Sequence, residues 1–186
     1  MDLAAMRAAN DRLYPVVRAI YGPAPVVDMH TRMKDGLQMM GVIKNAAPRL
    51  PLLPQSDAVR DGVRQALAWR IADKAQKQGR LVYIHCRDAD HARQLDDQFW
   101  QAPATGFLPH AIQLEGQAPV ILGHGGDPGD HHDVLINLTD QVPDFASRFQ
   151  RVAEMISGAE NERQAGRERF RFYRERGFPV TTHELG

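Results

Sequence analysis

Three short runs constrain the fold of this chain more than anything else in it: LVYIHC (Leu81 to Cys86), PVILG (Pro119 to Gly123) and DVLINL (Asp133 to Leu138). Each is nearly all apolar, rich in strand-forming residues and too short for a stable helix. A strand with no polar face must be covered on both sides, and sheets covered on both sides by helices are mainly parallel. RVAEMIS (Arg151 to Ser157) supplies a fourth strand. Helical patterns separate these runs, as parallel crossovers require. DADHARQLDDQFW reads as a helix capped by Asp88, with Leu95, Phe99 and Trp100 on its inner side. FLPH (Phe107 to His110) reads as a loop entering an extended segment, with Phe107 in the core and His110 at the surface. The last helix covers Ala159 to Arg176 and is closed by Gly177. The fold class is therefore α/β, a mainly parallel sheet with flanking helices.

Before Gly79 the texture changes and only helices and connectors are legible. Asp2 to Tyr21 forms one amphipathic run stopped by GPAP, and Val26 to Met40 a second, stopped at Gly41. A Pro-rich connector, AAPRLPLLPQSD, leads to Ser56 or Asp57, either of which can cap a helix running to about Gln78. The expected division is a helical appendage over residues 1–55 and an α/β domain over residues 56–186. The charges balance, 23 Lys and Arg against 23 Asp and Glu. Such a chain has no global field for a nucleic-acid backbone, so any cationic surface must be a local patch. One cysteine, Cys86, excludes an internal disulfide, and neither a membrane-spanning run nor a leader pattern is present, which suits a cytoplasmic protein.

One local patch stands out. In RERFRFYRERGF (Arg167 to Phe178) the residues Arg167, Arg171 and Arg174, with Arg163 one turn earlier, fall within about 80° on a helical wheel, and Phe170 lies on the same stripe. Arg169 and Arg176 point elsewhere, Phe172 lies opposite the stripe and Tyr173 at its margin. Guanidinium forks beside an aromatic ring suit a ligand that is both acidic and hydrophobic. The competing reading is a solvated helix whose arginines pair with Glu168 and Glu175. Other polar clusters lead nowhere chemical. HGGDPGDHHD lacks the Lys-Ser or Lys-Thr of a phosphate-binding loop, and its His124, Asp127, His131, His132 and Asp133 match no established metal spacing. His85 and Cys86 are adjacent on one strand and so point to opposite faces, which excludes a nucleophile and base pair. No catalytic residue, metal or cofactor is expected.

From about Trp69 onward the motifs WRIADKAQKQGRLVYIHCRDADHARQLDDQFW, GFLPHAI, PVILG, DVLINL, FASRFQRVAEMI and GRERFRFYRERGF resemble, in order and spacing, the chi subunit family of bacterial DNA polymerase III holoenzyme. The resemblance covers about residues 69–186. It implies a nucleotide-binding-like α/β fold without nucleotide chemistry and a noncatalytic accessory role. It also implies two partners: the psi subunit of the clamp loader, and the acidic, Phe-terminated C-terminal tail of the single-stranded-DNA-binding protein, with DNA reached only indirectly. Arg167, Phe170 and Arg171 match the family's tail-binding positions, where Tyr is common at Phe170 and Lys at Arg171; Arg163 and Arg174 extend the charge.

Residues 1–67 are similar to something else, the C-terminal helices of the dihydrodipicolinate synthase and N-acetylneuraminate lyase family, through LYPVVRAIYGPAPVVDMHTRMKDGLQMMGVIKNAAPRLPLLPQSDAVRDGVRQAL. That family's Schiff-base chemistry lies in a barrel this segment lacks, and Lys34 and Lys44 do not match the catalytic position. Chi proteins ordinarily open on an apolar strand. Here RLPLLP (Arg49 to Pro54) stands at about that distance, though Pro51 would fit only an edge position. The alternatives to an adaptor are a lyase fragment and a direct nucleic-acid binder.

Overall fold

The computed structural model describes residues 2–101, 107–113, 118–155 and 160–179, the side chains of 160–163 excepted. Among the described residues five α-helices and five strands follow in the order α1 (Leu3–Tyr21), α2 (Met29–Met39), α3 (Asp57–Gln76), β1 (Val82–Cys86), α4 (Ala89–Trp100), β2 (His110–Ile112), β3 (Val120–His124), β4 (Val134–Asn137), β5 (Arg151–Glu154) and α5 (Glu160–Glu175). All strand pairings are parallel, in the spatial order β2-β3-β1-β4-β5. The apolar run of β1 sits at the centre, which accounts for the burial of Val82, Tyr83, Ile84 and Cys86.

Alternation along the strands divides the interior in two. Val82, Ile84 and Cys86 of β1, with Val120, Leu122, Val134 and Ile136, join the inner faces of α3 and α4 in the larger cluster, through Leu67, Ala68, Ala72, Ala92, Leu95 and Phe99. Tyr83, Ile121 and Leu135 face the other way, against Phe149 and Tyr173 of the C-terminal part. Gly123 permits that arrangement, because a Cβ there would collide with the Tyr83 ring. Cys86 is wholly enclosed, its thiol pushed up to about 12 by burial, and His85 lies on the opposite face beside Tyr83 and Phe145.

The N-terminal helices pack on the α/β body. Asp2 caps α1 by accepting from the Ala4 and Ala5 amides at 3.0 and 3.2 Å. Val16 and Ala19 of α1 rest against the larger cluster and Met39 of α2 belongs to it. Arg32, 1% exposed, ties the α1–α2 connection together: Nε donates to the Ile20 carbonyl, and the terminal nitrogen to Pro23 at 3.0 Å and Pro25 at 3.4 Å. The run Val26 to Met40 is not one helix, since a 3₁₀ turn at Val26–Asp28 precedes α2. Residues 49–54 form no strand and leave Leu50 and Leu53 exposed. Two prolines within six residues remove the donors a ladder needs.

Candidate partner-binding face of the last helix

The last strand and the last helix are joined by a buried polar hub. Glu154, at the end of β5, accepts hydrogen bonds from Arg169 Nε at 2.9 Å, Tyr173 Oη at 2.8 Å and Asn137 Nδ2 at 3.0 Å. Arg169 also donates to the Asp140 carbonyl at 2.8 Å. Burial dominates the carboxyl and raises its pKa, with Arg169 and the other donors opposing that shift, and both desolvation and Glu154 push the Tyr173 phenol up. A buried charge without partners is costly, so this hub fixes how α5 sits on the sheet. Arg169 and Tyr173 are one helical turn apart and define its inner face, with Phe178 against Tyr173. Tyr173 therefore lies inside the fold rather than at the margin of the cationic stripe.

The outer face is thereby set. Arg167, Phe170, Arg171 and Arg174 are all exposed, Phe170 at 39%. Among the described residues none of these three arginines makes an ion pair or side-chain hydrogen bond, so the pairing with Glu168 and Glu175 that the competing reading requires does not occur. Arg176 instead stacks on Phe172, its guanidinium carbon 3.6 Å from the ring centroid. Arg167 and Arg171 stand one turn apart, about 6 Å along the axis. Like charges at that spacing repel, and an anion bridging them would relieve the repulsion. The Arg163 side chain lies outside the described residues.

A second exposed feature lies at the end of α4. The ring centroids of Trp100 and Phe107 are 5.6 Å apart, and the two residues are 59% and 58% exposed. Neither is core, against the sequence expectation. Trp100 is about 140° from Leu95 on the helix, beyond the buried arc. Leu108 and the side chain of His110 are the enclosed pair, two residues apart and so on one side of the extended segment. His110 Nε2 lies 3.2 Å from Asp96 and its ring 5.1 Å from that of Trp100. The residues of HGGDPGDHHD serve the fold: Asp133 accepts from the Leu81 amide at 2.8 Å, Asp127 pairs with Arg148 at 2.8 Å, and His131 meets the Ala118 carbonyl at 2.9 Å. No group of three metal-ligating side chains occurs among the described residues.

The family profile of the DNA polymerase III chi subunit, HolC, matches residues 58–181. The chain belongs to the chi subunit family. Chi subunits from Pseudomonas aeruginosa and Escherichia coli are 43% identical over 135 residues and 33% identical over 136. These alignments cover 72% and 70% of this chain and 93% and 92% of the relatives. The chi subunit of Haemophilus influenzae is 27% identical over 128 residues, 66% of this chain and 88% of its own. Membership makes this a noncatalytic accessory subunit of DNA replication, and the matched span holds the sheet, the hub and the cationic face of α5. Residues 1–57, including α1 and α2, lie outside the matched span. No described helix is long and apolar enough to cross a membrane.

Proposed function

We propose that this chi-family chain works in the cytoplasm as an adaptor, joining the clamp loader, through psi, to the acidic C-terminal tail of the single-stranded-DNA-binding protein. One observation carries the reading: Arg167, Arg171 and Arg174 stand exposed and unpaired around a half-exposed Phe170, while Arg169 of the same helix is committed to Glu154. Exposed cations without counter-charges are suited to an anionic partner. The tail's aspartates would lie against Arg167 and Arg171 and its terminal Phe beside Phe170, with Arg163 and Arg174 extending the field. For psi, the exposed Trp100–Phe107 pair offers an aromatic anchor of the kind enriched in interface hot spots. That pair belongs to the α4–β2 side of the sheet and α5 packs against the opposite face, so two partners would not compete.

The test is calorimetric titration of a peptide ending in Asp-Ile-Pro-Phe into the full chain and into R167A and R171A. Each charge-assisted contact removed should weaken binding by ~1.5 to 3 kcal/mol. Unchanged affinity in both variants would defeat the assignment. A direct nucleic-acid binder would instead hold single-stranded DNA without the tail, with a steep salt dependence.

A further inference from the structure

The helix α1 carries an exposed apolar stripe that the body of the protein does not use. Leu3, Met6, Leu13, Tyr14, Val17 and Tyr21 are 64%, 52%, 44%, 42%, 46% and 44% exposed. On the wheel all six fall within an arc of about 100°, together with Asn10 and no charged residue. The inner face is a different one, with Val16 and Ala19 against the core and Ile20 buried. The stripe presents roughly 600 Å² of accessible surface, taking ~150 to 250 Å² for a fully exposed large residue. A monomer rarely leaves a contiguous apolar patch above a few hundred Å² uncovered.

We propose that this stripe is a self-association surface, through which α1 of one copy lies antiparallel against α1 of a second copy. Two observations favour a second copy over other occupants. The stripe is nearly palindromic in position about the middle of the helix, so a two-fold axis there sets Leu3 opposite the second copy's Tyr21, Met6 opposite the second copy's Val17 and Asn10 opposite the second copy's Leu13. Apolar side chains thus meet apolar ones along the whole length except at Asn10, as an isologous contact requires. Two such stripes would also bury roughly 1,200 Å², the lower end of what a specific interface needs, so the dimer is weak and concentration-dependent. A lipid surface is disfavoured by the flanks. The polar faces of α1 mix Arg7, Arg12 and Arg18 with Asp2 and Asp11, whereas a helix lying on anionic lipid is predominantly basic there. An acidic peptide finds no cation within the stripe.

The experiment is sedimentation equilibrium of the full chain over a wide range of concentration, with M6E/V17E and N10L measured beside it. The wild type should move from monomer to dimer mass as concentration rises. M6E/V17E should shift the dissociation constant upward at least tenfold, and N10L, which replaces the one polar residue of the stripe, should shift it downward. In M6C/V17C, mild oxidation should yield covalent dimers, because Cys86 is wholly buried and does not compete. The proposal is overturned by a wild type that stays monomeric throughout, or by a dimer that M6E/V17E leaves intact. Partition of the monomer onto phosphatidylglycerol–phosphatidylcholine vesicles in place of self-association would equally overturn it. Should circular dichroism show M6E/V17E unfolded, N10L decides: an unchanged dissociation constant overturns the proposal.

Discussion

The first and last helices of this protein both leave one side in water, and they leave opposite chemistries there. The helix α5 turns Arg169 and Tyr173 inward onto a buried carboxylate and exposes guanidinium groups around Phe170. The helix α1 turns small and aliphatic residues inward and exposes Leu, Met, Val and Tyr. An amphipathic pattern therefore does not tell which face is inside. On α5 a polar hub overrides it, and on α1 the apolar residues outnumber those the body can cover.

The contrast can be broken at its anchors. The largest effect is expected from R169A, which strands Glu154 in the interior: stability should fall by ~3 to 5 kcal/mol, read as a lower denaturant midpoint. Tail binding should fall with it although Arg169 lies off the ridge, whereas R167A and R171A should cut tail binding and leave the midpoint where it was. R32A comes next. Losing the donor to three carbonyls should cost about 2 to 3 kcal/mol locally, seen as faster proteolysis around residues 20–30 with tail affinity unchanged. If R32A weakened tail binding as R169A does, the two ends of the molecule would be coupled rather than independent.

The smallest effect is a pH response in the body shared by both helices. His91 is 5% exposed, and its Nδ1 accepts from the Arg87 amide at 3.3 Å, which requires a neutral ring. Burial first, and Arg87 next, hold its pKa below the ordinary imidazole value of 6.5. A depressed folded-state pKa contributes stability that is present above pH 6.5 and is lost as the pH falls toward the folded-state value. The denaturant midpoint should drop modestly on acidification from pH 7.5 through that window, and H91N should flatten the decline. A midpoint that rises over the same window would contradict the assignment.

Much of this was legible in the sequence where one local rule suffices. The central strands declared themselves because a run such as VYIHC has no polar face to show, and Asp88 caps α4 by accepting from the His91 amide at 2.7 Å, as its position ahead of the periodic residues implied. The cationic ridge followed from 100° per residue alone. Non-local pairings were not legible: Glu154 meets Arg169, Tyr173 and Asn137 across three elements, and no spacing along the chain encodes that meeting. The exposure of Trp100 and Phe107 does not follow from their hydrophobicity, whereas the alternation from Leu108 to His110 gives the right sides.

The proposed grip of the exposed arginine ridge on a negatively charged chain end is tested most directly by charge exchange. Calorimetry should compare the R167E/R171E chain with the wild type, each against the acidic tail peptide and against a version whose aspartates are lysines. The prediction is a crossover, with the reversed chain losing the acidic peptide and gaining the lysine one. Equal affinity of both chains for the acidic peptide would contradict it.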